Sequence, residues 1–67
     1  PRTQITGPVA RGDARTVALH LEAIKRDLPD ALPAYVSLAV ASLEISRADI
    51  SPDDARRLED VLDRFSR

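Results

Sequence analysis

The residues equipped for chemistry gather near the front of the chain, in Thr6-Gly7-Pro8-Val9-Ala10-Arg11-Gly12-Asp13. A glycine-bearing turn that enters a helix can present backbone amides to an anion, and Arg11 could pair with a carboxylate or phosphate. The plainer reading is a loop that turns tightly and starts a helix, with Asp13 as its N-cap. On chemistry alone the plainer reading is favoured. No GxGxxG or GxxxxGK[ST] occurs, so the segment is not a nucleotide-binding fingerprint. Arg11-Gly12-Asp13 also spells a cell-adhesion tripeptide, but three residues carry little information and Asp13 is better explained as a cap.

His20 is the single histidine. It could act as a general acid or as a hydrogen-bond donor to a substrate. It falls beside an apolar helical stripe, where a boundary histidine with no chemical role is the commoner case. Tyr35 could offer its hydroxyl to a ligand, although such tyrosines more often bury the ring and wet the hydroxyl. Asp53, Asp54, Glu59, Asp60 and Asp63 are numerous enough to suggest a metal, but they alternate with arginines and lack calcium-loop spacing. Asp53–Arg57 and Asp60–Arg64 read instead as i,i+4 pairs on a solvated helix. No metal site, Ser/His/Asp triad or Cys/His pair can be assembled.

The elements that must position these residues are helical. Val17, Leu21, Ile24 and Leu28 recur at helical spacing, giving a first helix over about 13–27. Pro8 biases Gly7 away from helical geometry, so residues 1–12 read as an extended arm and turn, with Gly12 free to adopt a conformation closed to side chains. Leu28-Pro29 ends the first helix. Asp30 then caps a second over about 31–48, with Pro33 tolerable in its first turn. That second helix is apolar most of the way round and uncharged between Asp30 and Glu44. Two neighbours cannot cover it, so Tyr35, Val36, Leu38, Val40 and Leu43 are candidates for an interface with a missing helix or a second subunit. Ser51-Pro52-Asp53-Asp54 is a clear start for a third helix over 52–66. The expected fold is all-α: three helices and an irregular N-terminal arm, with two copies able to pair into a larger bundle.

The bulk properties set limits. The 67 residues make one small domain, whose own core is marginal. Cysteine is absent, so no disulfide or thiolate metal site staples it. The absence also suits the cytoplasm, the expected compartment. A net charge of −1 gives no electrostatic case for nucleic acid or an anionic membrane. In the third helix the arginines are balanced by acids, against a DNA-reading role. No stretch is apolar for the ~20 residues that a membrane span needs. A short helical chain starting at Pro1 with a polar, irregular segment is expected to be a C-terminal piece of a longer protein.

Ile5-Thr6-Gly7-Pro8-Val9-Ala10-Arg11-Gly12-Asp13, then Thr16-Val17, His20-Leu21 and Leu32-Pro33-Ala34-Tyr35, resemble the C-terminal domain of an uncharacterised family of Rossmann-type proteins. That family is similar to ketopantoate reductase, pyrroline-5-carboxylate reductase and 6-phosphogluconate dehydrogenase. The resemblance is strongest over residues 5–21 and weak after Ile50. It implies a missing N-terminal domain that holds NADP or NAD. It also implies a helical domain that dimerises and closes one side of a substrate cleft. Thr6, Arg11, Asp13 and His20 become the candidate substrate contacts by that analogy. The chain lacks the dinucleotide-binding domain and should not transfer hydride by itself. The competing reading is a stand-alone helical protein–protein interaction module, which an initiator methionine just before Pro1 in the parent gene would favour.

Overall fold

Side-chain caps mark the starts of two of the long helices. The computed structural model describes residues 6–67. Among these the chain forms α1 (Thr6–Ala10), α2 (Ala14–Asp27), α3 (Leu32–Ser46) and α4 (Pro52–Phe65), with no strand. Single 3-10 turns at Pro29–Ala31 and Arg47–Asp49 carry the chain into α3 and out of it. The all-helical expectation holds, and the three long helices stand close to their expected bounds.

At the start of α2, the Asp13 carboxylate accepts a hydrogen bond from the Thr16 amide. Its last turn carries Lys25 and Arg26, which suit the negative end of the helix dipole. The start of α4 has Pro52 at the first position and Ser51 Oγ accepting from the Asp54 amide at 3.0 Å. The Asp54 carboxylate does not reach back to complete a capping box. It takes Arg57 at 2.7 Å instead.

α1 packs on α3 and α2, while α4 packs on α2 and α3. Their shared core is Val9, Val17, Leu21, Val36, Ala39, Leu43, Ala55, Leu58 and Leu62. Burying each large side chain among these contributes roughly 1.5–3 kcal/mol relative to leaving it exposed. Arg47 ties the end of α3 to α4, donating to Glu44 at 2.8 Å and to Glu59 at 2.6 Å. These groups are substantially exposed, so the clamp sets the approach of the helices more than it adds stability.

Several local expectations are overturned. Residues 6–10 are a helical turn, not an extended arm. Pro8 falls in the first turn of α1, where a missing amide hydrogen costs nothing, and packing of the buried Val9 outweighs the bias that Pro8 places on Gly7. The part of the expected arm over residues 1–5 lies outside the described residues. Asp30 does not cap α3. It sits inside the 3-10 turn, and Ala31 at the cap offers no side-chain acceptor. Asp53–Arg57 and Asp60–Arg64 are not ion pairs: Arg57 prefers Asp54 one turn back, and Arg64 lies over the Phe65 ring at 5.4 Å.

Candidate functional site

The segment from Gly7 to Asp13 links two helices by shared caps. The Gly12 amide donates to the Val9 carbonyl at 3.0 Å and the Asp13 amide to the Pro8 carbonyl at 2.8 Å. Those two bonds are the pair that closes a Schellman motif, and they require a left-handed residue just past the helix end. Gly12 supplies it, with φ of 74°. A Cβ at Gly12 would also lie 3.0 Å from both Cβ and Oδ2 of Asp54. The turn is therefore pressed against the first turn of α4, and only a residue without a side chain fits there.

The same hydrogen bonds correct the anion-cradle reading. The Arg11, Gly12 and Asp13 amides are already spent on the carbonyls of Gly7, Val9 and Pro8. The Thr16 amide is spent on Asp13. A phosphate arriving at this turn would meet no free row of N–H groups. The chemistry left over belongs to side chains.

Asp13 is a double acceptor. Oδ1 takes the Thr16 amide at 3.1 Å, and Oδ2 takes the Thr16 hydroxyl at 2.7 Å. Thr16 Oγ1 is the largest influence holding the Asp13 carboxyl below its ordinary value, followed by the Thr16 amide, with Arg11 and Arg15 adding weaker attraction. A carboxylate whose folded value is depressed stabilises the fold above the unfolded value, and that contribution disappears as pH falls through the folded value. We expect Asp13→Asn to narrow the stability gap between pH 5 and pH 2, with its deficit against the wild type largest above about pH 4. Thermal melts of the two proteins across that range measure it. A deficit that grows toward acid would contradict the assignment.

The candidate substrate contacts are spread along this region. Arg11 is exposed, and Asp13 is half-buried and committed to its cap. Thr6 opens α1, and its side chain is outside the described set. His20 is half-buried on α2, one turn beyond Thr16. Sequence reasoning missed Thr16 as a functional partner. The spacing of Asp13 and Thr16, which places a hydroxyl at the third helical position after a carboxylate cap, was the available signal.

The interface candidates divide into two groups. Val36 is 7% exposed and Leu43 is 2% exposed, so the chain's own core takes both, contrary to their expected role between subunits. They share a helical face with Leu32 and Ala39, which point at α1, α2 and α4. Val40 lines a groove with Glu59 and Leu62 of α4. Leu38 and Ile45 lie on the opposite face of α3 and remain open, Ile45 being 82% exposed, while Tyr35 flanks the core face one turn before the buried Ala39 and is partly open. A separate open cleft of about 360 Å³, lined by Leu32, Pro33 and Phe65 among others, lies between the start of α3 and the end of α4.

No helix among the described residues is long and apolar enough to cross a membrane. No curated protein and no solved structure matches the chain. A family model matches residues 1–42, a span that runs from the capping turn through α2 and most of α3. The chain belongs to the family of the domain of unknown function DUF2520.

Proposed function

We propose that this chain is the helical dimerisation and cleft-forming domain of an NAD(P)-dependent oxidoreductase of the cytoplasm. The observation that supports it best is the outer face of α3. Leu38 and Ile45 stand exposed there beside Ala34 and Ala41, with Tyr35 partly open at its border. No charge interrupts that helix before Glu44. Such a face has no use in an isolated monomer and suits a second helix surface. A homodimer pairs a patch with itself, and an uncharged patch does so without like-charge repulsion. The resemblance of the opening segment to C-terminal domains of Rossmann-type reductases supplies the enzymatic part of the reading.

Among the described residues, the glycine-bearing turn does not fit a dinucleotide. Gly7 lies in a helix, and Gly12 is packed on Asp54 with its amide already bonded. The cofactor therefore belongs to a preceding domain, and this chain contributes a wall of the cleft through Arg11 and His20.

A stable interface buries ~800 Å² on each partner. The open side chains of one α3 face supply only part of that, so the isolated chain associates weakly. Light scattering at high micromolar concentration should give a mass above the monomer, and Leu38→Glu with Ile45→Glu should return it to the monomer. A monomeric wild-type mass at every concentration would count against dimerisation. A parent gene without GxGxxG after an upstream strand would instead support the stand-alone interaction module.

A further inference from the structure

We propose that two copies of this chain pair through α3 in the antiparallel sense, seating Leu38 of one copy on the partner's Ala41 and Ile45 on the partner's Ala34. This pairing rests on the dimerisation reading and adds direction and register to it. Ala34, Leu38, Ala41 and Ile45 follow one another at spacings of four, three and four residues, so they fall within about 60° of the helix circumference. All four are exposed. Leu32, Val36, Ala39 and Leu43 occupy the opposite side and pack into the core. α3 therefore carries two apolar stripes, and the chain itself covers one of them.

The outer spacing is that of the seam between helices that pair side by side. Along it the side chains alternate small, large, small, large, and this alternation decides between the two directions. In a parallel pair each residue meets its own copy. Two Leu38 side chains would hold the helices apart at one level, while two Ala41 residues would leave a void at the next. Atoms lining such a void lose their contacts outright. In an antiparallel pair with its two-fold axis level with the Ala39–Val40 peptide, Leu38 meets the partner's Ala41 and Ile45 meets the partner's Ala34. Every level then holds one large and one small side chain, which fills the space between two helices evenly.

Charge favours the same direction. Asp30 and Glu44, near the two ends of α3, are both exposed. A parallel pair brings each level with its own copy, acid beside acid. Antiparallel pairing moves the two Glu44 residues ~14 Å apart along the axis and sends the two Asp30 residues to opposite ends. Glu44 then faces the partner's Ser37 and Tyr35 faces the partner's Ser42, which gives the seam a polar rim. The dipoles of the two helices also run in opposite directions, positive end beside negative end. From Ala34 to Ile45 the seam is only ~16 Å long. That is too short to bury the ~800 Å² per partner of a stable interface by itself, so the copies exchange readily.

The chain has no cysteine, so an introduced thiol reports on one position. Ala34→Cys and Ile45→Cys both fall on exposed sites outside the core. A disulfide needs Cα atoms roughly 4.4–6.8 Å apart. In the antiparallel pair position 34 of one copy lies beside position 45 of the other, whereas like positions stand ~16 Å apart along the axis. Each variant is oxidised alone and in an equimolar mixture at high micromolar concentration, and the products are identified by mass. The mixture should give several-fold more covalent dimer than either variant alone, and that dimer should contain one copy of each. Crosslinking of each variant with itself, without the mixed product, is the parallel result and overturns the proposal while dimerisation stands. A wild type that scatters as a dimer while no sample crosslinks also overturns it, because the copies then meet through another face. A wild type that stays monomeric overturns the antiparallel pair and the dimerisation reading together.

Discussion

Leu58→Ala should remove a large part of the protein's folding stability. Leu58 is fully buried at the centre of the face that α4 presents to α2 and α3. Removing its isobutyl group takes away transfer free energy and leaves a cavity, together about 3–5 kcal/mol. A chain of this length has a total stability of only about 3–10 kcal/mol. Leu21→Ala should behave alike, since Leu21 is equally sealed on α2. Leu19→Ala is the control: Leu19 is 56% exposed, and its loss should cost no more than about 0.5 kcal/mol. Urea denaturation followed by circular dichroism measures all three. A Leu58→Ala protein with a wild-type midpoint would mean that α4 does not dock as described.

Gly12→Ala should be the most damaging change that adds a single methyl group to a glycine of this chain, because Gly12 is buried in left-handed geometry. Two costs add. An alanine in left-handed geometry costs roughly 1–2 kcal/mol, and its new methyl must displace the Asp54 Cβ and carboxylate from 3.0 Å. Asp54 cannot move freely, because its amide holds Ser51 and its carboxylate holds Arg57. The combined loss should be about 2–3 kcal/mol. Gly7→Ala provides the contrast. A Cβ there meets only the flexible end of Arg11 at 3.5 Å, and in a helix alanine is preferred to glycine. Gly7→Ala should therefore be neutral or mildly stabilising. Equal midpoints for the two alanine variants would mean that the close approach of the Schellman turn to α4 does not matter to stability.

These two effects show where the sequence is readable. Val17, Leu21, Ile24 and the run from Ala55 to Leu62 carry a period that only a helix satisfies, and Asp13 and Ser51 mark their own helix starts through side-chain oxygens. α1 was not legible, because five residues containing Gly7 and Pro8 have poor helical propensity. They become helical only because Val9 finds a buried place against α3. The cap before α3 was misplaced because proline and aspartate in Leu28-Pro29-Asp30 suit a 3-10 turn as well as a cap.

For the candidate site, residue type alone marked Asp13, Arg11 and His20. It left open whether the turn binds an anion, since the destination of each amide depends on the carbonyls that the folded turn brings near. The apolar excess of α3 was visible along the chain as a charge-free run. Which of its residues are core and which are open was decided by where the other three helices lie. Val36 and Leu43 differ from Leu38 and Ile45 only in the direction that they face.

By itself the sequence determined an all-helical chain, the starts of α2 and α4, and an excess of apolar surface on α3. Those features follow from interactions within one or two helical turns. Tertiary structure alone decided that Gly12 lies against Asp54, that the opening turn spends its amides internally, and that one ring nitrogen of His20 is buried. Each of these depends on the approach of helices distant in the chain, or on how a folded turn aims its backbone groups. No local pattern of residue types encodes such distances.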